Sequence, residues 1–325
     1  MLVSFAMSAV GTLVLRQYAR SRDLYDQPND RSSHSIPTPR LGGIAVAAAS
    51  LAGWAAVTDV STPGVGPTTA IVGGAVVVAL LGMADDVRSL SPLLKLSGEV
   101  LAVLVPVFFW TPSLSVVVAL ALVMWLLTYI NFFNFMDGSD GLAAGVAVLT
   151  ALGLSWLAAD AHAESAKWMA LVIAAAAAGF LVFNFPPASV FMGDTGSLFL
   201  GYSIAVLTVV VCGAGAGVLS TGMVLTPFLF DAGLTLAIRV GNREPIWQAH
   251  RSHIYQRLLK TGVSHLHVAA LYWGWVIVAI GLALRASRSS APLGFGFALV
   301  TMVPGAALLF YARSREAAAT LKDGP

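Results

Sequence analysis

Charge is the scarcest commodity in this sequence. Asp, Glu, Lys and Arg make up 10% of its 325 residues, against about 25% in an ordinary soluble domain. Apolar residues make up 58%. A water-soluble globule of this length has too much surface to hide that share, so a soluble fold is excluded and lipid becomes the solvent. Cysteine is nearly absent as well. The lone Cys212 sits in an apolar run, which excludes an intrachain disulfide and leaves the redox compartment unread. A net charge of +2 excludes the broad basic footprint of a nucleic-acid binder, so no nucleic-acid partner is expected. The opening apolar run, Met1 to Val14, lacks a basic leader and a small-residue cleavage site. It reads as a retained span rather than a signal peptide. No internal repeat is evident, which argues against a transporter built from two related halves, and no low-complexity tract interrupts the alanine-rich helices.

What is present is a succession of apolar runs, each near the ~20 residues that cross a bilayer as helix. Eleven candidates lie at roughly 1–18, 41–58, 68–84, 93–110, 114–132, 141–159, 167–184, 197–213, 218–238, 266–284 and 292–311. The fourth carries Lys95 and Glu99, and the eighth and ninth are parted only by the glycine-rich turn 213–217. The expected fold is therefore all-α and polytopic, with about eleven membrane helices in one membrane domain covering 1–325. Lys and Arg set the orientation. One set of loops holds Arg16, Arg20, Arg22, Arg31, Arg40, Arg88, Lys95, Arg239, Arg243, Arg251, Arg257, Lys260, Arg313, Arg315 and Lys322; the other holds Lys167, Arg285 and Arg288, so the 18 basic residues divide 15 to 3. The first set is expected in the cytoplasm, with the N-terminus outside and the C-terminus inside.

The polar motifs fall on that same side. Asp85 and Asp86 end the third span. Asn134, Asp137 and Asp140 follow the fifth, in Asn-Phe-Met-Asp-Gly-Ser-Asp-Gly. Asp194 follows the seventh, in Phe-Met-Gly-Asp-Thr-Gly-Ser, and His250 and His253 lie in the loop after the ninth. Asp59, Asp160 and Glu164 fall on the other side and sit in no motif. Adjacent carboxylates repel unless a cation or proton neutralises them, and hard oxygen ligands beside a membrane suit Mg²⁺, which also binds phosphate. Each group has a plainer reading. Asp85 and Asp86 could simply end a helix in water. Asp137 and Asp140 are ordinary turn formers, and Asp140 could cap the next helix. His250 and His253 could be interfacial histidines. Gly42-Gly43 could serve close helix packing, and Arg31 and Arg40 could serve topology alone. The coincidence of four polar groups on one face favours a site.

Taken in order, Pro28-Asn29-Asp30-Arg31-Ser32-Ser33-His34, Pro37-Thr38-Pro39-Arg40-Leu41-Gly42-Gly43, Asp85-Asp86, Asn131 to Gly141, Asn184 to Ser197 and His250 to His253 resemble the polyprenyl-phosphate N-acetylhexosamine-1-phosphate transferases. The resemblance covers about residues 23–260. It implies an Mg²⁺-dependent enzyme, with Mn²⁺ able to substitute, that moves a sugar-1-phosphate from a UDP-sugar to a polyprenyl phosphate such as undecaprenyl phosphate and releases UMP. It implies a metal on Asp194 with Asp85 or Asp86 nearby. Asn134, Asp137, Asp140 and Asn184 would orient the nucleotide and diphosphate, and Phe191 would stack on the uracil. Arg40, His250, Arg251 and His253 would contact phosphate or sugar. Arg31 to His34, Pro37 to Arg40 and Pro245 to His253 look most like the branch that starts O-antigen and related surface polysaccharides, with UDP-GlcNAc the first expected donor and UDP-FucNAc or UDP-QuiNAc next. They look less like the phospho-N-acetylmuramoyl-pentapeptide transferases. That branch carries a lysine where Ser35 stands and a run of histidines where Arg251 and Ser252 intervene. The resemblance implies the bacterial inner (cytoplasmic) membrane, a cytoplasmic site, and admits a homodimer.

Other classes predict other patterns. A cation-coupled transporter would bury its acids midway through its spans, and only Asp231 does so clearly. A CDP-alcohol phosphotransferase would show an Asp-Gly and Ala-Arg spacing that is missing here. A scaffolding protein would need no such polar motifs.

Overall fold

The computed structural model describes residues 1–27, 36–58, 66–110, 115–245 and 250–323. The motif stretches 28–35 and 246–249, and Asp59, lie outside the described residues. The chain is a helical bundle. α1 (Leu2–Ser21) leads through β1 (Tyr25–Asp26), which pairs antiparallel with β2 (Thr38–Pro39), into α2 (Gly42–Val57). α3 (Pro67–Arg88) begins on a proline, whose missing N–H costs nothing in the first turn, and ends at Ser89 in a left-handed conformation. α4 (Pro92–Trp110), α5 (Val116–Met136), α6 (Leu142–Asp160), α7 (Glu164–Asn184) and α8 (Gly193–Val211) follow. The Ser115 hydroxyl accepts the Val118 N–H to open α5.

Nine helices among the described residues are long and apolar enough to cross a membrane, and the chain is a multi-pass membrane protein. The sequence led to an expectation of eleven spans, and the two runs that are not among these nine long helices fall short for local reasons. α2 has 16 residues, which rise about 24 Å, short of the ~30 Å hydrocarbon core. The run 218–238 is broken into α9 (Val218–Met223) and α10 (Thr226–Gly241), where Pro227 stands at the start of α10 and cannot continue the preceding hydrogen bonds. The glycine-rich turn 213–217 appears as expected, α8 ending in a π-helical turn, Cys212–Ala216. After α10 come the short α11 (Ile254–Lys260), α12 (His265–Ala286), α13 (Ala291–Thr301) and α14 (Val303–Asp323).

α8 is the axis of the bundle. Nearly every residue from Thr195 to Thr208 is buried, and α8 packs against α2, α3, α5, α6 and α7. Outer faces carry exposed Leu2, Phe108, Val117, Leu120 and Phe310, as lipid contact requires. Close approach is allowed by small residues where α2 meets α8: a Cβ on Gly43 would stand 2.2 Å from the Gly196 nitrogen. Helix alternation then brings the ends of α3, α5 and α7 and the starts of α2, α4, α6, α8 and α12 to one end of the bundle, and the polar motifs with them.

Candidate active site

The first turn of α8 is held from outside. Its four leading N–H groups have no partner within the helix, and Met192 before it provides no side-chain cap. The carboxylate of Asp86, arriving from α3, does the work. Oδ1 accepts the Asp194 N–H and Oδ2 the Thr195 N–H, each at 2.9 Å, and the Thr195 hydroxyl donates to Oδ2 at 2.7 Å. The negative charge also suits the positive end of the helix dipole. Gly193 is required on two counts. Its φ is +71°, and a Cβ there would lie 2.7 Å from Asp86 Oδ1.

Capped in this way, α8 projects Asp194 toward α4 and α5. Its Oδ2 accepts Lys95 Nζ at 2.8 Å and its Oδ1 accepts Asn134 Nδ2 at 2.8 Å, while the same amide donates to Ser197 Oγ at 2.8 Å. Lys95 Nζ also lies 3.0 Å from Asp85 Oδ2. Asp85 is steadied by the Leu90 N–H, which donates to Oδ1 at 2.6 Å. Two carboxylates from different helices thus converge on one cationic point.

Arg40 reaches over from the start of α2. Its Nη2 donates to the Asp86 carbonyl at 2.6 Å, and its guanidinium lies 3.7 Å from Asp26 Oδ1. The segment that carries it is laced to the loop before α8: Phe191 N donates to Pro39 O, Gly42 N to Phe191 O and Gly43 N to Met192 O. Beside these residues opens a cavity of about 350 Å³ lined by Asp26, Arg40, Asp86, Asn134, Asp137, Gly138, Ser139, Asp140, Asn184, Phe191, Met192, Gly193, Asp194, Ser197, Gln256 and His265.

Asp137 and Asp140 occupy its wall differently. The Asp137 carboxyl receives no hydrogen-bond donor among the described residues, and burial, then the charges of Asp194, Asp86 and Asp140, push its pKa well above the usual carboxylate range. Asp140 is tied down, accepting the Ala188 N–H at 2.9 Å. Its own N–H donates to His265 Nδ1 at 3.2 Å, which leaves Nε2 as the protonated nitrogen of a neutral His265 ring. Asn184 is buried, with Oδ1 accepting the Gly141 N–H and Nδ2 donating to the Val190 carbonyl. Its amide is spent on joining α6 to the loop before α8, so it positions the wall.

The structure brings Asn134, Asp137, Asp140, Asn184, Phe191, Arg40, Asp86 and Asp194 to the cavity, with Asp85 just behind it. It does not bring His250, Arg251 or His253 there. The reason is Asp231 in α10, whose buried carboxylate accepts the Ile254 N–H at 2.8 Å, the Tyr255 N–H at 3.1 Å and the Tyr272 hydroxyl. That grip fixes the start of α11 and turns His253 inward, 4% exposed, its Nδ1 3.4 Å from Asp231 Oδ1. His250 hydrogen-bonds Ser252, and its pKa is lowered to about 4 by burial first and then by His253 and Arg239. Gln256 of α11 and His265 of α12 reach the wall instead. Sequence reasoning missed them, and missed Asp26, Ser139 and Ser197, which carry no local signal. Lys95 did carry one, as a charge inside an apolar run.

A divalent cation belongs to the expected chemistry, and the donor set fits one of a particular kind. Asp85 and Asp194 offer hard carboxylate oxygens around a point already occupied by an ammonium. Among the described residues no three acidic, histidine or cysteine side chains form a cage, and both Asp86 oxygens already accept α8 donors. Mg²⁺ commonly binds through one or two carboxylates and completes its shell with waters and substrate phosphate.

The glycosyl transferase family 4 model matches residues 68–212, from α3 through α8. The chain is 31% identical over 317 residues to a probable undecaprenyl-phosphate N-acetylglucosaminyl 1-phosphate transferase of Bacillus subtilis, covering 92% of this chain and 88% of that one. It is 30% identical to a decaprenyl-phosphate N-acetylglucosaminephosphotransferase of Mycobacterium leprae, covering 86% and 80%. A phospho-N-acetylmuramoyl-pentapeptide-transferase of Moorella thermoacetica matches at 38% identity over 130 residues, 40% of each chain. Similarity that runs the length of the chain, on a bundle that gathers the polar motifs at one end, places this protein in glycosyl transferase family 4, the polyprenyl-phosphate N-acetylhexosamine-1-phosphate transferases.

Proposed function

We propose that the protein transfers N-acetylhexosamine-1-phosphate from a UDP-amino sugar, UDP-GlcNAc first among them, to undecaprenyl or a similar polyprenyl phosphate, and releases UMP. The observation that carries this reading is the convergence of Asp85 and Asp194 on one cationic point beside the cavity. The names of the relatives in Bacillus subtilis and Mycobacterium leprae supply the lipid phosphate and the N-acetylglucosamine. The acceptor is a phosphate monoester with a second pKa near about 6, so it is largely dianionic at neutral pH. One of its oxygens attacks the sugar-bearing phosphorus of the UDP-sugar. A new P–O–P bond forms to the lipid phosphate as the old one to UMP breaks, giving a polyprenyl diphosphoryl sugar.

Each residue then has a task. Asp85 and Asp194 would hold Mg²⁺, or Mn²⁺ in its place. The ion, when bound, neutralises the diphosphate and stabilises the leaving UMP as a Lewis acid. Asn134 fixes the rotamer of Asp194. Arg40 lies where it can fork onto phosphate oxygens. Asp137, without a donor of its own, accepts from a hydroxyl or imide N–H of the nucleotide sugar, and the Phe191 ring provides a stacking face for uracil. The attacking oxygen is already ionised, so no strong base is needed, and Asp85 suffices for a last proton.

The membrane setting suits the reaction, because one substrate is water-soluble and the other is lipid. The 15 to 3 division of basic residues supports a site at the cytoplasmic face of a bacterial inner membrane. The product would start O-antigen or a related surface polysaccharide. The test is UMP release by purified protein with polyprenyl phosphate, Mg²⁺ and a panel of UDP-GlcNAc, UDP-FucNAc, UDP-QuiNAc and UDP-N-acetylmuramoyl-pentapeptide. Turnover of UDP-GlcNAc that disappears in Asp194→Asn supports the proposal. Turnover of the pentapeptide donor alone moves the protein to the peptidoglycan reaction, and no turnover of any donor overturns the reading.

A further inference from the structure

Glu99 has no part in the reaction outlined above. It lies on α4 four residues after Lys95 and is 1% exposed. Asn131 Nδ2 donates to its Oε2 at 2.5 Å, while its Oε1 is buried without a hydrogen-bond partner among the described residues. A carboxyl inside a membrane helix is expensive and persists mainly where it has a use. A buried acceptor left half-satisfied needs an explanation as well.

Its surroundings suggest one. Residues four apart on a helix share a face, so Glu99 lies within reach of the Lys95 side chain. The charges acting on it are those of Lys95, Asp194 and Asp85. Three carboxylates thus neighbour a single ammonium, which is at present paired with Asp85 and Asp194 and not with Glu99. With all three carboxyls ionised, the cluster is two positive charges short, the charge of one divalent cation. A cation that took Asp85 and Asp194 would evict the ammonium, which must then find another acceptor nearby or be stranded beside the incoming charge.

We propose that Lys95 is a tethered stand-in for the divalent cation and that Glu99 is its second seat. On cation binding the ammonium swings from Asp85 and Asp194 to Glu99 Oε1, and it returns when the cation leaves. Both are positioning residues: neither touches substrate in this scheme. The exchange keeps the carboxylates of the empty site neutralised and apart, and it makes cation binding depend on a residue that never touches the ion. The inference rests on the divalent-cation reading of Asp85 and Asp194.

Mn²⁺ titration of the purified full chain without nucleotide, followed by the EPR signal of free Mn²⁺, tests it independently of turnover. Wild type is expected to bind and Asp194→Asn to lose binding. Glu99→Gln keeps an oxygen for Asn131 but offers no charge to the ammonium, and it should weaken Mn²⁺ about tenfold. In a Lys95→Met background no ammonium needs a seat, so the same Glu99→Gln change should alter affinity less than about twofold. Wild-type affinity in Glu99→Gln overturns the proposal. So does an equal loss in both backgrounds, which would make Glu99 a plain long-range attractor of the cation. If Glu99→Gln does not fold, Glu99→Asp replaces it: a seat shortened by one methylene should weaken Mn²⁺ a few-fold with Lys95 present and not with Met, and equal behaviour in both overturns the idea. Failure of wild type to bind Mn²⁺, or undiminished binding by Asp194→Asn, instead removes the cation reading underneath.

Discussion

Asp86 and Asp231 invite comparison, because each is a buried carboxylate that holds the first turn of a helix far away in sequence. Asp86 receives two N–H groups and a hydroxyl at the start of α8. Asp231 receives two N–H groups and the Tyr272 hydroxyl at the start of α11. In the sequence the first looks like a cation ligand and the second like an unexplained intramembrane charge. In the fold they share one physical role, supplying acceptors and negative charge where a helix exposes unpaired donors. What differs is the neighbour of the capped amide. Beside Asp86 it is Asp194, so the cap sets the position of the carboxylate proposed to hold the cation. Beside Asp231 it is Tyr255, so the cap sets a wall. A carboxylate inside a membrane protein is thus not evidence of chemistry until its partners are known.

The comparison can be broken by substitution. The largest effect is expected for Asp86→Asn. An amide can replace only one acceptor, and its NH₂ would face the donors of α8. A displacement of Asp194 by about 1 Å should lower the rate of UMP release about 10²-fold, with a much smaller fall in detergent thermal stability. Gly193→Ala should follow, because a Cβ at φ +71° lies 2.7 Å from Asp86 Oδ1. A destabilisation of about 1–2 kcal/mol, with roughly tenfold slower turnover, is expected by thermal unfolding and UMP assay. Asp231→Asn should reverse the balance. Leaving a buried donor unpaired costs about 1–3 kcal/mol, so the melting temperature should drop while turnover changes only a few-fold. If Asp231→Asn instead abolishes turnover at unchanged melting temperature, the α11 region takes part in the reaction and the contrast with Asp86 collapses.

The smallest effect concerns pH. The His250 pKa is lowered in the fold to about 4 from 6.5, so the folded state binds its proton less readily than the unfolded state. Its contribution to stability is complete above pH 6.5 and is lost as pH falls toward 4. His250→Gln should make the melting temperature slightly less sensitive to pH in that window. An unchanged acid slope would show that the partly exposed ring matters little.

Much of the architecture was legible residue by residue. Apolar runs gave the long helices from α3 to α8, and Gly213 to Gly217 marked the break after α8. Pro227 explains why 218–238 is not one continuous helix, a local rule that total hydropathy conceals. The motifs around Asp85, Asn134, Asp137, Asp140 and Asp194 were found because polar residues stand out against lipid-soluble sequence. His265, Gln256 and Ser197 were not, since each sits inside an otherwise ordinary helix and gains meaning only from what faces it. His250 and His253 show the converse: a motif was legible, but the direction of its side chains depended on Asp231.

The sequence by itself determined that this is a polytopic helical membrane protein and which helix ends carry acids. Those properties follow from local hydrophobicity, the cost of charge in lipid and the length of a helix across a bilayer. Only the tertiary structure decided the tasks of the acids. It assigned Asp86 and Asp231 to capping, set Asp85 and Asp194 around Lys95, turned His253 inward and left Glu99 half-paired. The physical reason is that a hydrogen bond or ion pair joins groups more than a hundred residues apart, 108 between Asp86 and Asp194, and its geometry exists only once the intervening helices have packed.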